Sequence, residues 1–220
     1  MGGIGYDDAS MKIPRLYPIL DTGSLERRGV TDWEIVARAW LAGGAEILQI
    51  RHKTSWTRSH SQQAEAVKEQ CGCIPLLIND RADMAALLCV GLHVGQDDLA
   101  PTDCRRVIGP RVTLGFSTHD AEQLRAAAEE PVDYVAFGPV FVTHSKDRPD
   151  PSVGLEGLRE ARALTSKPLV AIGGITEDTA HLVFEAGADA VAVIGALLPE
   201  TLNESSLQER MEQWQRLTRQ

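Results

Sequence analysis

Long apolar runs, basic clusters and patterned cysteines are all missing from this 220-residue sequence, and each absence narrows what it can be. No apolar stretch nears the ~18 residues of a membrane span, and residues 1–13 lack the apolar core of a secretory leader. The formal net charge is −9 and the pI near 5.2, with no run rich in Lys or Arg. A nucleic-acid binder needs a basic face, so that class is set aside. Cys71, Cys73, Cys89 and Cys104 follow neither a zinc pattern nor a dense disulfide framework. They read as free thiols, mostly buried, in a reducing cytoplasm. No Gly-x-Gly-x-x-Gly follows the first apolar run, which weighs against an open dinucleotide-binding sheet. Met1-Gly2 opens like a myristoylation signal, but Tyr6 stands where the motif wants Ser or Thr.

What is present is ordinary globular composition, 43% hydrophobic and 24% charged, at a length that suits one large domain or two small ones, and no linker or composition shift divides it. Eight short apolar runs punctuate it: 16–20, 47–50, 75–78, 91–94, 112–116, 134–137, 169–172 and 190–194. Segments with helical spacing lie between them, at 31–41, 121–128, 155–164 and 176–185, with a weaker one near 100–109. Thr176 reads as an N-cap and Gly187 as a helix stop. Eight strands alternating with helices predict a single-domain α/β chain closed as a (β/α)₈ TIM barrel. The first 13 residues, rich in Gly and Asp, read as a loose tail, with the barrel over 14–220 and a last helix marked by Leu207, Met211 and Trp214.

The stretch Glu46–Lys53 has an apolar body and a charged exit, which suits a buried strand opening into a site. Alternate residues of a strand face one side, so Gln49, Arg51 and Lys53 project together and call for an anion such as diphosphate. Other polar residues gather where strands end: Asn79 and Asp80; His93, Gln96, Asp97 and Asp98; Ser117, Thr118 and His119; Thr143, Ser145 and Lys146; Gly173-Gly174; Gly195. In a barrel these ends form one rim. Asp80 and Asp98 follow neighbouring strands, and two carboxylates with phosphate and water oxygens suit Mg²⁺; alternatively, Asp80 caps the next helix. His93 reads as a satisfied core residue, and His119 as an acid/base or a hydrogen-bonding prop. The irregular 138–153 connection has the length of a lid or binding loop.

In combination, Gln49-Ile50-Arg51-His52-Lys53, Asn79-Asp80-Arg81-Ala82-Asp83, His93-Val94-Gly95-Gln96-Asp97-Asp98, Gly138-Pro139-Val140-Phe141 with Thr143-x-Ser145-Lys146, and Ala171-Ile172-Gly173-Gly174-Ile175 resemble the thiamine-phosphate synthase family over about residues 16–197. The resemblance implies a barrel enzyme that joins hydroxymethylpyrimidine diphosphate to hydroxyethylthiazole phosphate through a dissociative, carbocation-like step. It implies that Gln49, Arg51, Lys53 and Asn79 hold the pyrimidine diphosphate, with Ser117 in the pyrimidine site and Lys146 on the diphosphate. Asp80 and Asp98 would bind Mg²⁺. Thr143, Ser145, Gly174 and the Ile194-Gly195 backbone would meet the thiazole phosphate. The reactive step would then fall to Arg51, Lys53, Lys146 and Ser117.

Two positions depart from the family's pattern. Gly195 stands where Ser is usual, so one hydroxyl contact is missing, and Ser145 replaces a Thr while keeping its hydroxyl. Two other readings compete: a thiazole tautomerase working through His119, and a non-catalytic barrel that binds thiazole or thiamine phosphates. The expected partners are small-molecule substrates, with no nucleic acid and no membrane; a homo-oligomer is compatible with every feature above.

Overall fold

The computed structural model describes residues 12–143 and 151–219, and within them eight parallel strands close into a barrel in sequence order. The strands are β1 (Leu16–Asp21), β2 (Leu48–Arg51), β3 (Leu76–Asn79), β4 (Gly91–Val94), β5 (Leu114–Thr118), β6 (Tyr134–Phe137), β7 (Leu169–Ile172) and β8 (Ala190–Val193). Helices alternate with them: α1 (Thr22–Glu26), α2 (Trp33–Ala42), α3 (Arg58–Cys71), α4 (Ala82–Leu88), α5 (Pro101–Ile108), α6 (Ala121–Ala128), α7 (Gly154–Leu164), α8 (Ala180–Glu185) and α9 (Glu204–Thr218). Residues 1–11 of the expected tail lie outside the described residues. Ile13, assigned to that tail, is instead buried with Tyr17 in the barrel interior, because its apolar side chain fills the cylinder.

Strand alternation decides what fills that interior. Tyr17, Ile19, Leu77, Tyr134, Val170 and Ala192 belong to an inner cluster. The intervening residues, such as Leu20, Ile50, Ile78 and Val135, face the helices and join a larger outer core. In α2, Trp33, Val36, Ala37 and Trp40 form the buried stripe, and Asp32 caps its start by accepting from the N–H groups of Glu34 and Ile35.

Four expectations need correction. Strand β5 begins two residues later than 112, since the Val112 carbonyl is taken by the Arg105 guanidinium. The helix after β7 starts at Ala180, so Thr176 does not cap it; a turn over 177–179 intervenes, in which Thr179 Oγ1 accepts from Thr176 N–H at 2.9 Å. Thr118 is buried on the helix side of β5 and donates to Ala136 O at 2.9 Å, away from the mouth. All four cysteines are free thiols, but only Cys71 and Cys104 are buried, and burial pushes both thiols up to about 11. Cys73 and Cys89 lie in connections that carry no core face and are exposed. Among the described residues, no helix is long and apolar enough to cross a membrane.

The last helix closes the structure. Leu207, Met211 and Trp214 of α9 are fully buried against α2 and the barrel. The Trp214 indole N–H donates to Ala196 O at 3.3 Å, fastening the turn that follows β8. Trp214→Ala is therefore expected to cost about 3–5 kcal/mol, the usual range for emptying a buried aromatic site. Denaturant unfolding followed by tryptophan fluorescence and circular dichroism checks it; a loss below about 1 kcal/mol would mean that α9 only rests on the barrel.

Candidate active site

A cavity of about 750 Å³ opens at the ends of the strands. Gln49, Arg51, Lys53, Asn79, Asp80, Asp98, Ser117, Thr143, Gly174, Ile194 and Gly195 all line it. The polar residues read from separate strand ends thus meet at one mouth. Ser145 and Lys146 lie outside the described residues. His93, read as a core residue, is indeed buried, yet it also lines the cavity, with Nε2 2.8 Å from Ser117 Oγ.

The cations are countered by carboxylates. Arg51, at the end of β2, pairs with Asp21 at the end of β1, and the two are register partners across the sheet. Asp21 is 4% exposed and also accepts from Ser24 N–H at 2.8 Å and Ser24 Oγ–H at 2.7 Å, which starts α1. A residue capping a helix thereby fixes where the guanidinium points. The sequence reading passed over Asp21; the signal was a carboxylate closing the first apolar run, one strand from Arg51. Lys53, half-exposed, pairs with Asp80 across the neighbouring strand end.

Asp80 does not cap α4: Arg81 occupies that position, with no side-chain cap bond. Asp80 has φ of 64°, a left-handed conformation that Asp and Asn tolerate better than most residues. Its N–H donates to His93 O at 2.7 Å. This turn aims the carboxylate into the cavity, where it meets the Asp98 carboxyl. Asp98 Oδ2 is itself held by Gly95 N–H at 2.7 Å. Burial and the Asp98 carboxyl push Asp80 up to about 6, against the opposing pull of Lys53. Two carboxylates pressed together form a hard, oxygen-rich donor pair that a divalent cation would relieve. Among the described residues no set of three His, Cys, Asp or Glu side chains gathers, so further ligands would have to be substrate or water oxygens. Beside them Asn79 Nδ2 is buried with no hydrogen-bond partner among the described residues. A buried orphan donor at a cavity wall is costly unless a ligand takes it.

The opposite wall is mostly backbone. Gly173 and Gly174 have φ of 102° and 64°. A Cβ on Gly174 would run into Val142 O and come within 2.8 Å of Phe141 Cβ. The absence of side chains lets the loop after β6 lie on the end of β7, where Val140 N–H donates to Ile172 O and Phe141 N–H to Gly173 O, each at 2.9 Å. Gly195 opens a short 3₁₀ turn, and a Cβ placed there meets nothing within 4 Å among the described residues. His119 Nδ1 lies 2.6 Å from Gly138 O; a carbonyl only accepts, so Nδ1 carries the proton. The ring is thus oriented by the backbone at the cavity edge.

A closed α/β barrel whose rim combines cations, paired carboxylates and glycine backbone belongs to the class that takes phosphorylated small molecules at the C-terminal ends of its strands. The family model for thiamine monophosphate synthase matches residues 16–197. The chain is 46% identical over 201 residues to a thiamine-phosphate synthase of Koribacter versatilis, covering 90% of this chain and 95% of the relative. It is 42% identical over 194 residues to the thiamine-phosphate synthase of Albidiferax ferrireducens, covering 86% and 87%. The solved structure of a thiamine phosphate pyrophosphorylase from Pyrococcus furiosus superposes with a TM-score of 0.78 at 25% identity, over 93% of this chain and 96% of that one. The chain belongs to the thiamine monophosphate synthase family.

The raised Asp80 carboxyl has a stability signature. Its folded pKa near 6 lies above its ordinary value of 3.8, so the folded chain holds a proton that the unfolded chain has already released in that window. Stability from this group is full below about pH 4 and is lost as pH rises through about 6. Asp80→Asn should therefore melt higher than the parent at pH 7.5 in chelator, by about 1–2 kcal/mol once screening is allowed for. The gap should close near pH 4. Melting curves at both pH values decide it, and equal stability at pH 7.5 would refute the crowding of Asp80.

Proposed function

We propose that this chain joins hydroxymethylpyrimidine diphosphate to hydroxyethylthiazole phosphate, forming thiamine phosphate and releasing diphosphate, as a Mg²⁺-dependent transferase. The observation that carries the reading is the meeting of Arg51, Lys53, Asp80, Asp98 and Ser117 around one cavity in a chain of this family. Cations and paired carboxylates dominate this set, which suits a reaction in which the leaving group departs first. Arg51 and Lys53, with Lys146, would offset the charge that builds on the departing diphosphate. Gln49, Asn79 and Ser117 would hold the pyrimidine, and the buried Asn79 amide supports this, since it has a donor to give. Thr143, Ser145 and the backbone at Gly174, Ile194 and Gly195 would receive the thiazole phosphate and bring its ring nitrogen to the electron-poor pyrimidine carbon. Asp80 and Asp98 would hold Mg²⁺, which when bound supplies positive charge beside the diphosphate. The apolar flank formed by Ile19, Ile172 and Ala192 would limit water around the reacting carbon. The four free thiols support a reducing, cytoplasmic setting.

With both substrates and Mg²⁺ the protein should form thiamine phosphate, and a chelator should stop it. Asp98→Asn should lose about 10²-fold or more in turnover while remaining folded. Unchanged turnover in that variant would remove the metal assignment. Isomerisation of a thiazole phosphate without Mg²⁺, dependent on His119, would favour the tautomerase.

Gly195 offers a separate test. Open space at its Cβ means that Gly195→Ser fits without displacing a neighbour among the described residues. One added hydroxyl donor near a phosphate should lower KM for the thiazole phosphate about three- to tenfold, with kcat and stability little changed. A higher KM would show that the phosphate does not reach this turn.

A further inference from the structure

A hydrogen-bonded chain crosses the barrel interior beneath the cavity. Gln49 Nε2–H donates to Tyr17 OH at 3.0 Å, and Tyr17 OH lies 2.7 Å from Tyr134 OH. Tyr134 OH lies 2.8 Å from His93 Nδ1, and His93 Nε2 lies 2.8 Å from Ser117 Oγ. Five strands contribute one residue each. Both ends, Gln49 and Ser117, face the cavity, whereas the two phenols are fully buried. The barrel makes room for the chain: a Cβ on Gly115 would collide with the Tyr134 ring and come within 2.5 Å of His93 Nδ1.

We propose that Tyr17, Tyr134 and His93 determine specificity by locking the hydrogen-bond polarity of the two ends of the pyrimidine pocket. The inference rests on the function proposed above and deepens it. A phenol has one proton to give, and a neutral imidazole donates from one nitrogen and accepts at the other. Burial raises both phenols well above their ordinary range, so each keeps its proton. Since Tyr17 accepts from Gln49, its proton goes to Tyr134, the Tyr134 proton goes to His93 Nδ1, and Nε2–H donates to Ser117. An imidazolium would donate at both ends and, with Gln49 donating to Tyr17, leave one phenol proton without an acceptor, so this direction of the chain goes with a neutral ring.

The two ends are therefore not independent. With this direction, the Gln49 carbonyl is left to accept from the ligand and the Ser117 hydroxyl is left to donate to it. A ring that offers an exocyclic amino group to Gln49 and an unprotonated ring nitrogen to Ser117 matches both. A ring with an oxo group and a protonated nitrogen at those places mismatches both. To accommodate it, the Gln49 amide, both phenols and the His93 tautomer must all reverse. Discrimination built on buried donors and acceptors is steep for this reason.

The test compares an aminopyrimidine diphosphate with its oxo analogue by equilibrium binding to the wild type, Tyr17→Phe and Tyr134→Phe. Phe at 134 keeps the ring against Gly115 but cuts the chain, so His93 can take either tautomer. The wild type should prefer the amino ring; each variant should lose about tenfold or more of that preference, and the double variant should lose little more than either alone. Affinity for the thiazole phosphate should stay the same throughout. Variants that weaken both pyrimidines equally would mean a merely structural role and overturn the proposal, as would a wild type that binds both rings alike. Melting temperatures separate loss of fold from loss of preference. Because binding is read without turnover, a wild type that discriminates but makes no thiamine phosphate would refute the proposed reaction and leave the chain standing.

Discussion

Closure of a parallel sheet on itself leaves each strand residue with only two destinations, the cylinder or the helical layer, and parity along the strand decides between them. Strand β2 shows how much hangs on this. Gln49 and Arg51 turn inward and reach the cavity, while His52, one place on, turns outward. There its ring lies 5.3 Å from Trp33, 5.4 Å from Trp56 and 4.2 Å from His60, and its Nδ1 meets Thr22 Oγ1 at 2.7 Å. Burial and the neighbouring His60 hold His52 below the usual histidine range. A slip of one residue would put an arginine among tryptophans and a histidine in the mouth. The four residues from Gln49 to His52 thus supply both the site and its outer support.

The same alternation explains what could be read from the chain and what could not. The strands 91–94, 134–137 and 169–172 were expected at their observed bounds, because parallel strands buried on both faces are short, dense apolar runs. The mouth was readable because polar residues at strand ends interrupt those runs. Helix α3 was not, since its buried stripe is only Ala64, Val67 and Cys71 within fourteen mostly polar residues. Tyr17 and Tyr134 fall within the apolar runs 16–20 and 134–137 and are buried, but their hydroxyl partners sit on strands far apart in sequence, which no local pattern encodes. Asp21 was hidden in a similar way, by a partner thirty residues later. Thr118 was placed on the rim by proximity alone, and parity sends it elsewhere.

The charge distribution at the mouth is balanced rather than simply positive. In a chain with a formal charge of −9, Arg51 and Lys53 are held by Asp21 and Asp80 in positions from which they can turn to a ligand anion. Asp80 belongs to two groupings at once, an ion pair with Lys53 and a crowded pair with Asp98. Strain of this sort, kept at one place and supported by a sound core, is common where a protein must respond to what enters.

The tie between the indole of Trp214 and the carbonyl of Ala196 also has a bearing on biosynthesis. The turn after β8 leaves the ribosome before the helix that steadies it. A growing chain can assemble its cylinder before this clasp exists, but the corner of the mouth at Ile194 and Gly195 stays unsupported until α9 has emerged. Ligand-binding competence would therefore trail sheet closure in time, and the emergence of α9 would govern when the nascent molecule completes its mouth.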